Sequence, residues 1–134
     1  MKGFPSDGPG HLRGVRVVLV EDHDDSRELL AMMLEQCGAH VVSAPSARTG
    51  LQAVLDSRPD VVVSDLGMPG EDGYWLIREV QRQIGAVPAV AVTGFSDRYH
   101  PVQARAAGFR EYLNKPVDPE RLCGAVAKVL DRAG

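Results

Sequence analysis

Short β-branched runs alternate with amphipathic stretches five times along this chain, and that alternation most constrains its fold. Val15 to Val20 is long enough for a strand buried on both faces. His40 to Ala44, Asp60 to Ser64, Ala89 to Val92 and Glu111 to Asn114 read as four further strands. Between them lie helical patterns. Asp24 and Asp25 offer caps for the first, with Glu28 placed for a capping box with Asp25, and Leu29, Leu30, Met33, Leu34 and Cys37 recur at helical spacing. Gly38 can close that helix. Ser46 caps the second, which carries Ala47, Leu51, Val54 and Leu55, and the third carries Leu76, Ile77 and Val80. Pro101 starts a short fourth helix that ends before Gly108, after a loose loop over Gly94 to His100. Asp118 caps the fifth, with Pro119 at its first position and an apolar face of Leu122, Val126, Val129 and Leu130.

Strands that alternate with helices form a parallel sheet covered on both faces. The polar residues then fall into a pattern. Glu21 and Asp22 follow the first strand, Asp65 the third, Thr93 ends the fourth, and Lys115 follows the fifth. The second strand ends in Ser43 and Ala44, with no chemistry, which makes it the edge. The implied order is 2-1-3-4-5, with a site beyond the carboxyl ends of strands one and three, where the winding reverses.

Three carboxylates brought together repel unless a cation sits among them. Mg2+ suits an all-oxygen, partly hydrated site. Asp22 and Asp65 are expected as direct ligands, Glu21 as a ligand through water, and the Gly67 backbone carbonyl as a further donor. Asp65 is the natural nucleophile toward phosphorus, forming an acyl phosphate. Mg2+ and the Lys115 ammonium would neutralise the developing charge, and the Thr93 hydroxyl would donate to a bound phosphoryl oxygen. Each residue alone has a plainer reading: a helix cap, a loop acid, a strand end, a solvated lysine. Their joint placement at the ends of different strands carries the argument. His11, His23, His40 and His100 show no ligand spacing and read as surface or edge positions, and Tyr74 and Trp75 as packing or helix-surface residues.

The bulk composition fits one soluble domain. The chain has 134 residues, 44% hydrophobic and 25% charged, enough to bury a core unaided. Met1 to Gly14 reads as a flexible leader and 15–134 as the folded domain. A net charge of −3 disfavours direct nucleic-acid binding, and no apolar run spans a membrane. Cys37 and Cys123 read as unpaired small hydrophobes, which suits a reducing cytoplasm.

The segments Val-Leu-Val-Glu-Asp (Val18 to Asp22), Ser-Asp-Leu-Gly-Met-Pro-Gly-Glu-Asp-Gly (Ser64 to Gly73), Val-Thr-Gly (Val92 to Gly94) and Tyr-Leu-Asn-Lys-Pro (Tyr112 to Pro116) resemble the receiver domain of bacterial two-component response regulators. The resemblance covers roughly Val15 to Leu130. Leu12 to Asp22 and Ala107 to Leu122 look most like the C-terminal receivers of hybrid sensor histidine kinases. It implies a flavodoxin-like (βα)5 fold. It also implies that Asp65 accepts phosphoryl from a phosphohistidine on a histidine kinase or histidine phosphotransfer domain, that the receiver catalyses this transfer and its reversal by hydrolysis on itself, and that it is not otherwise an enzyme. Thr93 and Tyr112 become the switch pair, remodelling the face of the fourth helix, fifth strand and fifth helix. The Lys115–Pro116 bond is expected cis. A weak homodimer is compatible with this reading. Glu21 departs from the commoner Asp, Gly94 from the commoner Ala, Gly67 and Phe95 occupy positions that tune phosphate lifetime, and Pro101 shortens the fourth helix.

Three other readings compete. A haloacid-dehalogenase-type phosphatase wants Asp where Gly67 stands. A flavin or dinucleotide binder lacks its Gly-rich turn after strand one. A degenerate receiver, used only for interaction, would not need every key position occupied.

Overall fold

The computed structural model describes residues 11–94 and 101–133, with side chains to residue 131. Its order is β1 (Arg16–Val20), α1 (Asp24–Gln36), β2 (His40–Ala44), α2 (Ala47–Ser57), β3 (Val61–Ser64), α3 (Gly73–Ile84), β4 (Ala89–Thr93), α4 (Pro101–Ala107), β5 (Glu111–Asn114) and α5 (Pro119–Ala133). The strands form one parallel sheet in the order β2-β1-β3-β4-β5, as expected.

Alternation along the central strands sorts their side chains onto two faces. Val17 and Leu19 of β1, Val61 and Val63 of β3, and Val90 and Val92 of β4 pack with α1 and α5. Val18, Val20, Val62, Ala89 and Ala91 pack on the other face with α2, α3 and α4. Every one of these residues is almost wholly buried, which explains the uninterrupted β-branched runs. Two glycines let backbone approach closely. A Cβ on Gly50 would lie 2.5 Å from Val20 Cγ2, and one on Gly73 would lie 2.4 Å from the Asp65 carbonyl oxygen.

Local signals held in several places. Ser46 accepts from the Thr49 N–H in a reciprocal capping box, Gly38 turns the chain after α1 with φ 104°, and Lys115–Pro116 is cis. The cap of α1 differs from expectation. The helix begins at Asp24, so His23 is its N-cap and makes no side-chain capping bond. The Asp25 and Glu28 capping box does not form because both residues already lie inside the helix.

The leader boundary also moves. Met1 to Gly10 lie outside the described residues, as do 95–100 with the expected loop, Phe95 and His100. His11 to Gly14, however, form a turn packed on the domain. Leu12 is fully buried, its N–H donates to the Cys37 carbonyl at 2.7 Å, and its side chain joins the α1 and α5 core. His11, expected at the surface, is 2% exposed beside it. A single leucine among polar and glycine neighbours carries no periodicity, so its burial leaves no pattern to read. Both cysteines are free, Cys37 half-buried and Cys123 buried. Burial, with the Cys37 thiol nearby, pushes the Cys123 thiol well up.

Candidate functional site

The acids converge because three strands end at one level. Backbone bonds align them: the Glu21 N–H donates to the Ala44 carbonyl, and the Asp65 N–H donates to the Val20 carbonyl at 3.0 Å. Asp65 therefore leaves β3 directly beside the end of β1. The next strand is pinned likewise, with the Lys115 N–H donating to the Thr93 carbonyl at 2.8 Å. Glu21 is fully buried, Thr93 is 2% exposed and Asp65 is 6% exposed, so the site is a recess in the sheet end.

The turn at Asp65 is held by its own neighbours. Ser64 Oγ donates to the Asp65 carbonyl at 2.8 Å, and the Gly67 N–H donates to Asp65 Oδ1 at 3.2 Å. Asp72 caps α3 by accepting from the Trp75 N–H. On the rim, Arg48 pairs with Glu71 and stacks over Trp75, joining α2 to this loop.

Lys115 ties the acids together. Its Nζ donates to Glu21 Oε1 at 2.5 Å and to Asp65 Oδ2 at 3.2 Å. Burial opposes the charge on Glu21, yet the Lys115 ammonium and the His23 backbone N–H outweigh it and hold that carboxyl below its ordinary value. Asp65 goes the other way. Burial, aided by the negative charge of Glu21, raises its carboxyl despite the nearby lysine. Burial also works against the Lys115 charge, but the two carboxylates outweigh it and raise its ammonium value.

A dication fits this donor set. Carboxylate oxygens of Glu21, Asp22 and Asp65 and a ring nitrogen of His23 all lie within 4.8 Å of one another. Asp22 Oδ1 is buried and has no hydrogen-bond partner among the described residues. A buried carboxylate oxygen left in that state is costly unless a cation meets it. The structure thus brings together Glu21, Asp22, Asp65 and Lys115, with Thr93 at the adjoining strand end. It adds His23, which sequence reading left at the surface. That residue is indeed exposed, but its Nδ1 faces Glu21 Oε2 at 3.3 Å and Asp22 Oδ1 at 3.5 Å. Its position one residue after the acid pair was the signal that could have found it.

Tyr112 stands opposite Ala91 in the β4–β5 register, and Asn114 opposite Thr93. Alternation then puts Tyr112 and Thr93 on one face, diagonally adjacent. Tyr112 is half-buried against the α3 and α4 side of the core, and burial raises its phenol value. Next to Lys115, a cavity of about 280 Å³ opens between Leu29, Leu30 and Met33 of α1 and Pro116 and Val117.

A parallel 2-1-3-4-5 sheet with an acidic recess and a lysine at its carboxyl end defines a phosphorylatable signalling switch of two-component systems. The family model for the response regulator receiver domain matches residues 17–127, and the chain belongs to that family. It is 32% identical over 117 residues to the protein PilH of Pseudomonas aeruginosa, covering 86% of this chain and 97% of that one. An uncharacterized 14.6 kDa protein of Leptolyngbya boryana is 39% identical over 108 residues, covering 79% and 82%. Among solved structures, a response regulator receiver domain protein from Clostridium thermocellum superposes with TM-score 0.82 at 26% identity, covering 89% and 96%.

Proposed function

We propose that Asp65 is the phosphoacceptor of this receiver, taking its phosphoryl group from a phosphohistidine on a histidine kinase or phosphotransfer domain. The observation that carries this reading is the Lys115 ammonium held between Glu21 and Asp65 at the mouth of the recess. Asp65 attacks phosphorus with one carboxylate oxygen, and the histidine nitrogen leaves. Lys115 stabilises charge on the transferred group. Asp22 and Asp65 would hold Mg2+ directly, with Glu21 in the outer shell because Lys115 and His23 already engage both its oxygens. Gly67 would offer its carbonyl. Bound Mg2+ supplies neutralisation of the phosphoryl oxygens.

Thr93 then donates to the new phosphoryl oxygen, and Tyr112, diagonal to it on the same face, follows into the space vacated. This couples the site to α4, β5 and α5. The chain catalyses only its own phosphorylation and dephosphorylation. Among the described residues no helix is long and apolar enough to cross a membrane, and both thiols are free, which supports a cytoplasmic place. The apolar cavity beside Lys115 supports a partner helix docking against α1 next to Asp65.

Acetyl phosphate or beryllofluoride with Mg2+ tests the reading. A mass increase of one phosphoryl group, lost on hydroxylamine treatment and absent in Asp65→Asn, is expected. Labelling that persists in that variant would show a different acceptor.

A further inference from the structure

His23 adds a nitrogen donor to a pocket whose other donors are carboxylate oxygens. We infer that His23 makes this pocket a mixed nitrogen and oxygen site that binds Zn2+ more tightly than Mg2+, a reading that rests on the metal pocket proposed above.

The geometry is close to what such an ion needs. Zn–N and Zn–O bonds are about 2.0–2.2 Å, so two donors to one ion lie at most about 4.4 Å apart. The four candidate donors already lie within 4.8 Å of one another. Closing on an ion therefore asks for a contraction of about half an ångström. The His23 side chain is 73% exposed, so its ring can shift toward an ion without displacing the core. Its Nδ1 already lies 3.5 Å from Asp22 Oδ1, the buried oxygen without a hydrogen bond.

Charge and donor chemistry point the same way. Lys115 offsets one of the three carboxylates, which leaves about two negative charges for a dication. Mg2+ gains little from an imidazole, since it prefers oxygen and holds its waters. Zn2+ is borderline-soft and takes imidazole nitrogen and carboxylate oxygen together. On binding, the imidazole would give up its contact with Glu21 Oε2 and move its proton from Nδ1 to Nε2, so that the Nδ1 lone pair faces the ion. Zn2+ then competes with Mg2+ for Asp22 and Asp65.

Calorimetric titration of Zn2+ and of Mg2+ into the full chain tests this, using wild type, His23→Ala, His40→Ala and Asp22→Asn. His23→Ala should lose at least about tenfold in Zn2+ affinity, the loss that even an outer-shell partner's removal brings, and change less than about twofold for Mg2+. His40→Ala should match wild type. The His23 ring nitrogens should shift in 15N NMR when Zn2+ is added. Unchanged Zn2+ affinity in His23→Ala, or unmoved ring nitrogens, overturns the inference alone if Mg2+ binding still depends on Asp22. Mg2+ binding that ignores Asp22→Asn overturns the pocket itself, and the inference with it.

Discussion

The Lys115 ammonium sits closer to Glu21, at 2.5 Å, than to the proposed phosphoacceptor Asp65, at 3.2 Å. Before phosphorylation the lysine is thus anchored by a residue that does no chemistry on phosphorus. Glu21 stores the cation at the recess, and Asp65 keeps an oxygen turned toward Gly67. Lys115→Ala should leave the buried Glu21 carboxylate without its ammonium. The expected cost is about 2–3 kcal/mol in urea unfolding, below the range for a fully buried pair because Lys115 is 23% exposed. Mg2+ affinity should not fall, while phosphorylation by acetyl phosphate should slow sharply. A variant with weakened Mg2+ binding would contradict the role given to this lysine.

The pH dependence of stability should separate the two carboxylates. Glu21 has a lowered folded value, so its contribution is present above its ordinary value of 4.5 and is lost as pH falls through the folded value. Glu21→Gln should flatten the acid limb below about pH 4.5 in a urea series. Asp65 has a raised folded value, so its contribution is present below its ordinary 3.8 and is lost as pH rises through the folded value. Asp65→Asn without Mg2+ should therefore raise Tm at pH 7 by a few degrees, on the order of 1 kcal/mol. A lower Tm would mean that the Lys115 contact outweighs burial and the charge of Glu21.

Gly73 shapes the turn at Asp65 by direct backbone contact. A methyl there would press on the Asp65 carbonyl at 2.4 Å and the Leu66 Cα at 3.1 Å, both backbone atoms. Gly73→Ala should cost about 1–3 kcal/mol by overpacking and also slow phosphorylation of Asp65. An active, fully stable Gly73→Ala would show that α3 can slide away from the turn freely.

Leu12 belongs to the core. Leu12→Ala should destabilise by about 2–5 kcal/mol, the range for a buried leucine, yet leave the phosphorylation rate at 20 °C unchanged in the folded fraction. Neutral stability in thermal melts would return residues 11–14 to the leader.

The inner strands were legible because β1, β3 and β4 are buried on both faces, so Val17 to Val20 and Val61 to Val63 read as continuous apolar runs, and the order was legible because the second strand ends without chemistry. Glu21, Asp22, Asp65 and Lys115 were legible as a site because strand ends of a parallel sheet meet at one level. What stayed hidden depends on side-chain direction. The position of His23 after the acid pair marks it as a candidate, but only the fold shows that its ring lies against Glu21 instead of capping α1. The preference of Lys115 for Glu21 over Asp65 likewise emerges only from where three chain segments leave the sheet. Leu12 and His11 were missed because they pack by a tertiary contact with the end of α1, and no local period marks such a contact.

That contact gives the domain two unlike poles. Leu12 seals the end of α1 by bonding Cys37, at the end of the sheet where β1 begins. Asp65 and its neighbours occupy the end where β1 stops. Residues 11–14 therefore close the floor of the molecule, at the opposite end from Asp65, so a partner can approach Asp65 without displacing them.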